Sequence, residues 1–345
     1  GPNAGAQARI SDSDIAVADT SAPSDSKKSH DVRVKAKASS EIWSLAAAGG
    51  FSEKVAAGVA SSSNTLDQTI SAKITGTGTN IAGRSDGENT GTVTVKARDA
   101  SAIRALGGAL QGGDKGAAGG GVATNLLGGT NRIVSAKIAD ATVRASDAVE
   151  VDAKSDAVIE TIAAAGAAAD KAALQGSVTF NQLLTRTQAR VDGAEIAPAE
   201  DSQGEGYTLT VEARDTSDVR ALAGAVGGAS KASLGAALSI NDIAGAIKAD
   251  ISGGSSIEGA GTVTVKAKSS DARIQSIAAA AGAANNAAIG ASVSLNTMLR
   301  QVQASVDGGA SVETAQVADD GSPAVEIAAE ERSTIQSLTG TVQAA

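Results

Sequence analysis

Two charged pairs occupy the same place in two nearly identical phrases of the chain. The phrase "TVTVKARDASAIRAL" covers residues 92–106 and "TLTVEARDTSDVRAL" covers 208–222, so that Arg98-Asp99 recurs as Arg214-Asp215. A duplicated catalytic or binding site would repeat an acid beside a base in this way. Two solvated ion pairs at strand ends would show the same repetition, and such pairs contribute about 0–1 kcal/mol each to stability. We predict the second arrangement, in which the four residues are exposed and have no catalytic role.

The carboxylates raise the alternative of a carbohydrate-active enzyme. The chain has 38 Asp and Glu residues, and a β-helical lyase or hydrolase needs two or more acids that converge in one groove. The acids are spread over the whole sequence, and the aromatic residues that could form a sugar platform occur singly, as Trp43, Phe51, Phe180 and Tyr207. The sequence therefore predicts no catalytic residue, and a β-helical carbohydrate-active enzyme or carbohydrate-binding segment remains the alternative.

Metal and thiol chemistry has little support in the composition. The chain has no Cys, which excludes a disulfide framework, a cysteine zinc site and a thiol nucleophile. His30, in the polar stretch "SDSKKSHD", is the only histidine, so a histidine-cluster metal site is excluded. The acidic stretches "DSDIAVAD" (12–19) and "VADDGSP" (317–323) offer oxygen ligands without an EF-hand loop, which leaves calcium binding open. We predict no metal-binding and no cofactor-binding residue.

Charge and hydropathy limit the classes of partner. The net charge of −9 argues against nucleic acid and against an anionic membrane surface, since both attract a surplus of Lys and Arg. The sequence has no apolar run near the roughly 20 residues that a membrane-spanning helix needs. Hydrophobic residues make up 42% of the chain, which also contains 40 Gly residues. The sequence thus predicts a core built from small side chains, with closely approaching backbones.

A strand-like run recurs along the chain and divides it into repeat units. The runs are "VRVKA" (32–36), "VTVKA" (93–97), "VEVDA" (149–153), "LTVEA" (209–213), "VTVKA" (263–267) and "VEIAA" (325–329). We expect five repeat units at 32–92, 93–148, 149–208, 209–262 and 263–324, followed by the start of a truncated sixth unit at 325–345. Residues 1–31, which begin with "GPN", are expected to be a tag remnant and the end of a preceding unit.

Each unit also repeats a polar residue at a nearly fixed place. An Asn stands at almost the same offset from the start of each run, and an Ala-x-Ile/Val triplet follows the Asn. The Asn residues are Asn64, Asn125, Asn181, Asn241 and Asn296. If the units stack as coils of a solenoid, these side chains lie above one another, about 4.8 Å apart, and can hydrogen-bond as a ladder. We predict a structural Asn ladder with no ligand-binding role.

The Ala-rich middle of each unit could be read as helix or strand. "VIETIAAAGAAADKAAL" (158–174) would suit a helix, but its counterpart at 102–121 contains many Gly residues, each of which costs a helix about 1 kcal/mol. We therefore predict a hairpin of small residues in each unit, with Gly or Asn in positive φ at its polar tip. The sequence as a whole predicts an all-β, elongated repeat solenoid of the parallel β-helix kind.

The repeated phrase resembles a known family. "VTVKARDxSxIRALAGAxGGxxKxxxGAAxxxN", followed by "KAxI…V", is similar to the repeats of giant filamentous-haemagglutinin and leukotoxin-type adhesins, which Gram-negative bacteria export by two-partner secretion. The resemblance covers roughly residues 28–345. It implies a β-helical shaft of a protein that is secreted or held at the cell surface, without catalytic residues. The expected partners are neighbouring repeats and a host-cell or matrix protein or glycan. A monomer is expected because each unit of a solenoid can bury its apolar face only on its neighbours. The absence of Cys suits a chain threaded through an outer-membrane pore.

Overall fold

The chain folds into stacked coils of β-strand. A computed structural model describes residues 5–17, 30–83, 90–129, 132–199, 206–315 and 323–345, and the regular elements in these ranges are all strands. The strands are β1 (Gly5–Ser11), β2 (Asp14–Val17), β3 (His30–Ala38), β4 (Glu41–Ser52), β5 (Val55–Leu66), β6 (Thr69–Thr75), β7 (Asn80–Gly83), β8 (Thr90–Asp99), β9 (Ala102–Gly113), β10 (Gly116–Leu127), β11 (Ile133–Ala139) and β12 (Thr142–Ala145). They continue as β13 (Ala148–Ser155), β14 (Val158–Ala169), β15 (Ala172–Asp192), β16 (Glu195–Pro198), β17 (Tyr207–Asp215), β18 (Asp218–Ala229), β19 (Ala232–Ser252), β20 (Ser256–Ala284), β21 (Ala287–Val306), β22 (Ser311–Thr314) and β23 (Val325–Ala344).

Each coil runs through five segments in the same order. In the second coil these are an opening strand (β8), a first arm (β9), a second arm (β10), a closing strand (β11) and a short strand (β12). In later coils neighbouring segments join, so that β15, β19 and β21 each contain a second arm and a closing strand. The coils are numbered one to six from β3, β8, β13, β17, β20 and β23.

Every pairing between strands is parallel and joins equivalent segments of successive coils. The first residues of the predicted units form one row across the stack, which consists of Val32, Val93, Val149, Leu209, Val263 and Val325. Closing strands and second arms form an 8-stranded sheet, while short strands, opening strands and first arms form a 15-stranded sheet. Parallel strands stacked in this way confirm the all-β solenoid, and the Ala-rich middle of each unit is strand.

The opening, closing and short strands of each coil surround one apolar core. Their inward positions alternate with outward ones, as the period of a strand requires. Val95 on the opening strand, Ile74 on the closing strand and Ile81 on the short strand are fully buried in this core. Because the core continues from coil to coil, each coil buries its apolar side chains against its neighbours.

The two arms of each coil project from this core as a fin. The sequence-based prediction of a hairpin is wrong in its pairing: β9 bonds to β4 and β14, and β10 bonds to β5 and β15. The arms of one coil therefore lie face to face in different sheets, joined by a two-residue tip. Positive φ at the tip was also predicted, and none of the ten tip residues, such as Asp114 and Lys115, has it.

The interior of the fin explains the abundance of Gly and Ala. A Cβ atom on Gly107 would lie 2.7 Å from the carbonyl oxygen of Val122 in the facing arm, and one on Gly119 would lie 2.5 Å from that of Gly166. Real Cβ atoms do not approach backbone oxygens so closely. The two sheets of the fin are thus too close together for larger side chains, which fits the expected core of small residues.

The proportions of the stack follow from strand geometry. The 21 residues of β15 would span about 70 Å if straight, whereas six coils at about 4.8 Å rise only about 29 Å. Each unit of more than 50 residues thus adds only about 4.8 Å to the height of the stack, so a long rod requires many more units. The described residues contain no helix long and apolar enough to cross a membrane.

Candidate functional site

The repeated Asn residues form a hydrogen-bonded ladder inside the fin. Each of the first four donates from Nδ2 to the Oδ1 of the next at 2.8–2.9 Å. Asn125 and Asn181 are fully buried, and Thr161 of the facing arm donates to Asn181 Oδ1 at 2.6 Å. The predicted ladder is confirmed. Its amides are occupied by one another and by the facing arm.

The repeated Asp residues lie in the interior, contrary to the sequence-based prediction of solvated pairs. Asp99 and Asp215 are 1% and 0% exposed. Neither pairs with the Arg beside it: Asp99 pairs with Arg132 of its own coil, and Asp215 pairs with Arg300 of the next coil. The inward direction follows from strand alternation, since these two residues end the opening strands on the side that faces the core.

The neighbouring Arg residues do lie on the surface, as predicted. Arg98 is about half exposed, and its Nη2 lies 3.5 Å from Asp152 of the third coil. Arg214 pairs with Glu212 on its own strand. Burial raises the pKa of Asp152, and Arg98 and Arg214 oppose that rise. Each surface Arg thus forms a partly exposed, weak ion pair: Arg98 pairs with the neighbouring coil, and Arg214 pairs along its own strand.

The two buried ion pairs belong to a polar layer where the fin joins the core. Asp99 Oδ1 accepts from the Ser101 backbone N–H at 3.1 Å and from the Gln68 amide at 3.3 Å. Arg300 also donates to Ser269 at 3.2 Å. Burial lowers the pKa of Arg132, while the Asp99 and Asp215 carboxylates act in the opposite direction. Two Arg and two Asp side chains make the layer neutral in charge.

Several atoms of this layer have no partner among the described protein groups. They include Nε and Nη1 of Arg132, Nε of Arg300 and Oδ2 of Asp215. Arg132 is fully buried and Arg300 nearly so, with a 2% exposed side chain. A substrate in solvent has no access to carboxylates enclosed in this way. The layer can hold the arms in position, but it is not arranged for acid–base chemistry on an external polymer.

Arg132 and Arg300 were not identified from the sequence. Arg132 belongs to the same unit as its partner Asp99, whereas Arg300 belongs to the unit that follows the one containing Asp215. Thr185, Gly245 and Arg300 share one row, and the register of the closing strands, extended by one residue from Ile133, adds Gln68 and Arg132 to it. Arg occupies this row only in the second and fifth coils. Because it does not recur in each unit or in every second unit, the repeats gave no signal for it.

The outer surface of the first arms carries a groove near the single Trp. It has a volume of ≈ 510 Å³ and includes Trp43, Leu106, Ile162 and Glu160 in its lining. The guanidinium carbon of Arg104 lies 4.8 Å from the centroid of the Trp43 ring, so one face of the indole is covered. Arg104 is held there by Glu41 and by Glu160, the latter at 2.7 Å.

The other aromatic residues are far apart in the coil. Phe51 is exposed at the end of a first arm, and Phe180 is partly exposed on a second arm. Tyr207 is buried, and its hydroxyl donates to the Ile196 carbonyl oxygen at 3.0 Å. Because these residues and Trp43 stand in four different rows, the structure brings no two of them together as a platform.

Metal ligands are not clustered in the described part of the chain. No group of three or more His, Asp or Glu residues there could hold a metal ion. The backbone of His30 begins β3. Of the two acidic stretches, Asp12 to Val17 are described, while all of "VADDGSP" except Pro323 lies outside the described residues.

Comparison with known proteins gives no relative for this chain. It matches no family model, no curated protein and no solved structure. The adhesin resemblance therefore rests on the repeated phrases alone and stays a prediction.

Proposed function

We propose that the chain is a structural shaft segment of a large secreted bacterial surface adhesin. In this role it presents or spaces binding regions that attach the cell to other surfaces. The parent protein is exported by two-partner secretion, and this segment catalyses no reaction. The proposal rests on the sequence resemblance and on the inward orientation of the repeated polar residues.

The observation that carries the proposal is the direction of the repeated polar groups. A repeated binding site would present its shared residues to solvent, coil after coil. Here Asn181 of the ladder and Asp99 and Asp215 of the repeated phrase all point inward and bond within or between coils. The repetition therefore serves the stacking of coils, which is the requirement of a shaft.

The alternative of a carbohydrate-active enzyme or a carbohydrate-binding segment has less support. Glu160, the acid in the outer groove, bonds to Arg104 and also to Arg220 at 3.0 Å. The only aromatic ring in that groove has Arg104 over one face. A glycosidase or lyase needs a free acid and base at one cleft, and the described residues of this groove contain a single, paired carboxylate.

A display experiment tests the proposal. The chain would be placed between an outer-membrane anchor and a binding domain of known target, and target capture by whole cells would be measured. Substituting Arg98→Ser and Arg214→Ser on the surface should leave capture unchanged. Substituting Asn125→Ala, Asn181→Ala and Asn241→Ala should abolish it, because the ladder that sets the register between coils is removed.

A parallel assay addresses the alternative. The purified chain would be incubated with a panel of acidic and neutral polysaccharides, and new reducing or unsaturated ends would be measured. The shaft proposal predicts none. Turnover that is lost with Glu160→Gln in a still-folded protein would contradict it.

A further inference from the structure

Between the charged row that contains Arg104 and Glu160 and the polar tip, the outward side chains of the first arms form a continuous apolar surface, which we call the first-arm face. It comprises four rows of six residues with no charged or polar side chain among them. The rows are Leu45, Leu106, Ile162, Leu222, Ile277 and Leu338; Ala47, Gly108, Ala164, Gly224, Ala279 and Gly340; Gly49, Leu110, Gly166, Val226, Ala281 and Val342; and Phe51, Gly112, Ala168, Gly228, Ala283 and Ala344.

The large residues of this face are open to solvent. The first row is aliphatic in all six coils, and Leu222, its most covered member, is still 38% exposed. Leu110 and Val226 in the third row are 70% and 63% exposed. Four rows about 6.7 Å apart across six strands about 4.8 Å apart give a footprint of roughly 770 Å². The largest apolar patch of a typical monomer is about 300–600 Å².

The size of the face fits association with an equal face. Two such footprints would bury roughly 1,500 Å² in total, within the range of about 1,200–2,000 Å² that is typical of specific interfaces. The outward face of the second arms is less suited, since its rows are interrupted by Ser61, Ser63 and Thr124. The first-arm face has no such interruption.

The four rows are also complementary to themselves in side-chain size. A two-fold axis parallel to the stack, passing between the second and third rows, would bring the first row onto the fourth and the second onto the third. Leu110 of one copy would then meet Gly108 of the other, and Leu222 would meet Gly228. The first row meets a small residue in coils two, three, five and six as well, and the Phe51 ring of the first coil extends over Gly112 of the second. Only the first coil, at the end of the stack, sets a large residue on another, Leu45 on Phe51.

From this match and this area we propose that two copies of the chain pair side by side through their first-arm faces, with their stacks running in the same direction. The pairing is isologous, as a two-fold axis requires. Small side chains in the second and fourth rows let the two sheets approach closely. The proposal replaces the monomer expected from the sequence, and it does not depend on the adhesin role.

Sedimentation of the full chain, with the mass measured over a concentration series, tests the pairing. Wild type should sediment at twice its 33.4 kDa mass. Leu222→Lys should sediment as a monomer, because it places a charge in the aliphatic first row, where Leu222 would pack on Gly228 of the other copy. Leu234→Lys is the matched control: Leu234 is an exposed Leu of the same coil, 45% exposed on the second arm, and this variant should remain a dimer. Far-ultraviolet circular dichroism confirms that both variants are folded.

A single cysteine tests the direction of pairing. The chain has no other Cys, and a Cβ atom on Gly340 meets nothing within 4 Å. With parallel stacks, Gly340→Cys lies level with its counterpart, so a short bismaleimide should join two chains. With antiparallel stacks, the sixth coil faces the first, about 24 Å away along the stack. A monomeric wild type, a dimeric Leu222→Lys variant or the absence of cross-linking at position 340 would overturn the proposal.

Discussion

Asn181 stands in the middle of the buried ladder, bonded to one Asn on each side and to Thr161 of the facing arm. Each of the three inner amides donates one hydrogen bond to the next Asn and accepts one from the preceding Asn, so these polar groups are satisfied within the protein. A buried group that loses its partner costs about 1–3 kcal/mol, which is more than the bond itself contributes in net terms. The ladder therefore specifies register between coils more than it adds stability.

Removing one rung should expose this cost. We expect Asn181→Ala to lower the free energy of unfolding by about 1–3 kcal/mol, since its neighbours keep their buried amides. Asn286→Ala, at the exposed tip of the fifth coil, is the control and should change it by less than about 0.5 kcal/mol. Urea unfolding followed by circular dichroism measures both. Equal losses of unfolding free energy in the two variants would show that a ladder Asn is no more important for stability than an exposed Asn.

The buried ion pairs should behave differently from the surface Arg residues beside them. Breaking a buried pair by removing one partner costs about 3–5 kcal/mol, while replacing both partners costs much less. We expect Arg132→Met to be strongly destabilising, Asp99→Ala/Arg132→Met to lose less than the sum of its single variants, and Arg98→Ser to be near neutral. A double-mutant cycle from urea unfolding checks this. Additive losses would mean that the Asp99–Arg132 pair is not coupled.

The interior residues differed in how far the sequence could predict them. The Asn row recurs in every unit at nearly one offset, so a stacked arrangement alone predicts its ladder. Asp99 and Asp215 recur as well, and Asp99 alternates in step with the apolar Val95 and Ala97, so the inward side was readable. The prediction of solvated pairs was wrong because it gave more weight to the usual exposure of charged residues at strand ends. The partners of the two Asp residues lie in the same unit in one case and in the next unit in the other. A contact that changes unit leaves no repeated spacing.

At the scale of elements, the fin is the feature that the sequence described incompletely. Two arms of small residues around a polar tip fit a hairpin as well as two facing sheets. The choice depends on whether β9 bonds to β10, its neighbour along the chain, or to β14, the first arm of the next coil. The local sequence pattern of an arm is the same in both cases, so it does not indicate which of the two strands β9 pairs with. The stack favours pairing between coils because it then satisfies every arm in a continuous sheet.

Two adjacent Gly residues of β9 test the close approach of the arms. We expect Gly107→Ala to destabilise the chain by about 1–3 kcal/mol, because its Cβ atom would crowd the Val122 carbonyl oxygen of the facing arm. Gly108→Ala points outward, 3.7 Å from its nearest neighbour, and should be neutral or stabilising by up to about 1 kcal/mol. Thermal and urea unfolding measure the difference. If Gly108→Ala is the more harmful change, the arms do not face each other as described.

At the scale of the whole molecule, register between coils is the central claim. The ladder, the core and the first-arm face all require that equivalent residues of successive coils lie side by side. The sequence predicted this stacking from the repeats, and its prediction of parallel strands is confirmed. It did not predict that the arms of each coil pair with other coils and extend from the core as a fin, since that follows from how the arms fold.

Engineered disulfides test the register most directly, since the chain has no Cys of its own. Ala172, Ala232 and Ala287 are exposed residues that occupy one row at the start of three successive second arms. Neighbours in a row lie about 4.8 Å apart, within the Cα–Cα range of about 4.4–6.8 Å for a disulfide, whereas the outer two lie about 9.6 Å apart. Under mild oxidation, the account predicts an intramolecular disulfide in Ala172→Cys/Ala232→Cys and in Ala232→Cys/Ala287→Cys, and none in Ala172→Cys/Ala287→Cys. A disulfide in the third variant, or its absence from the first two, would contradict the stacked coils.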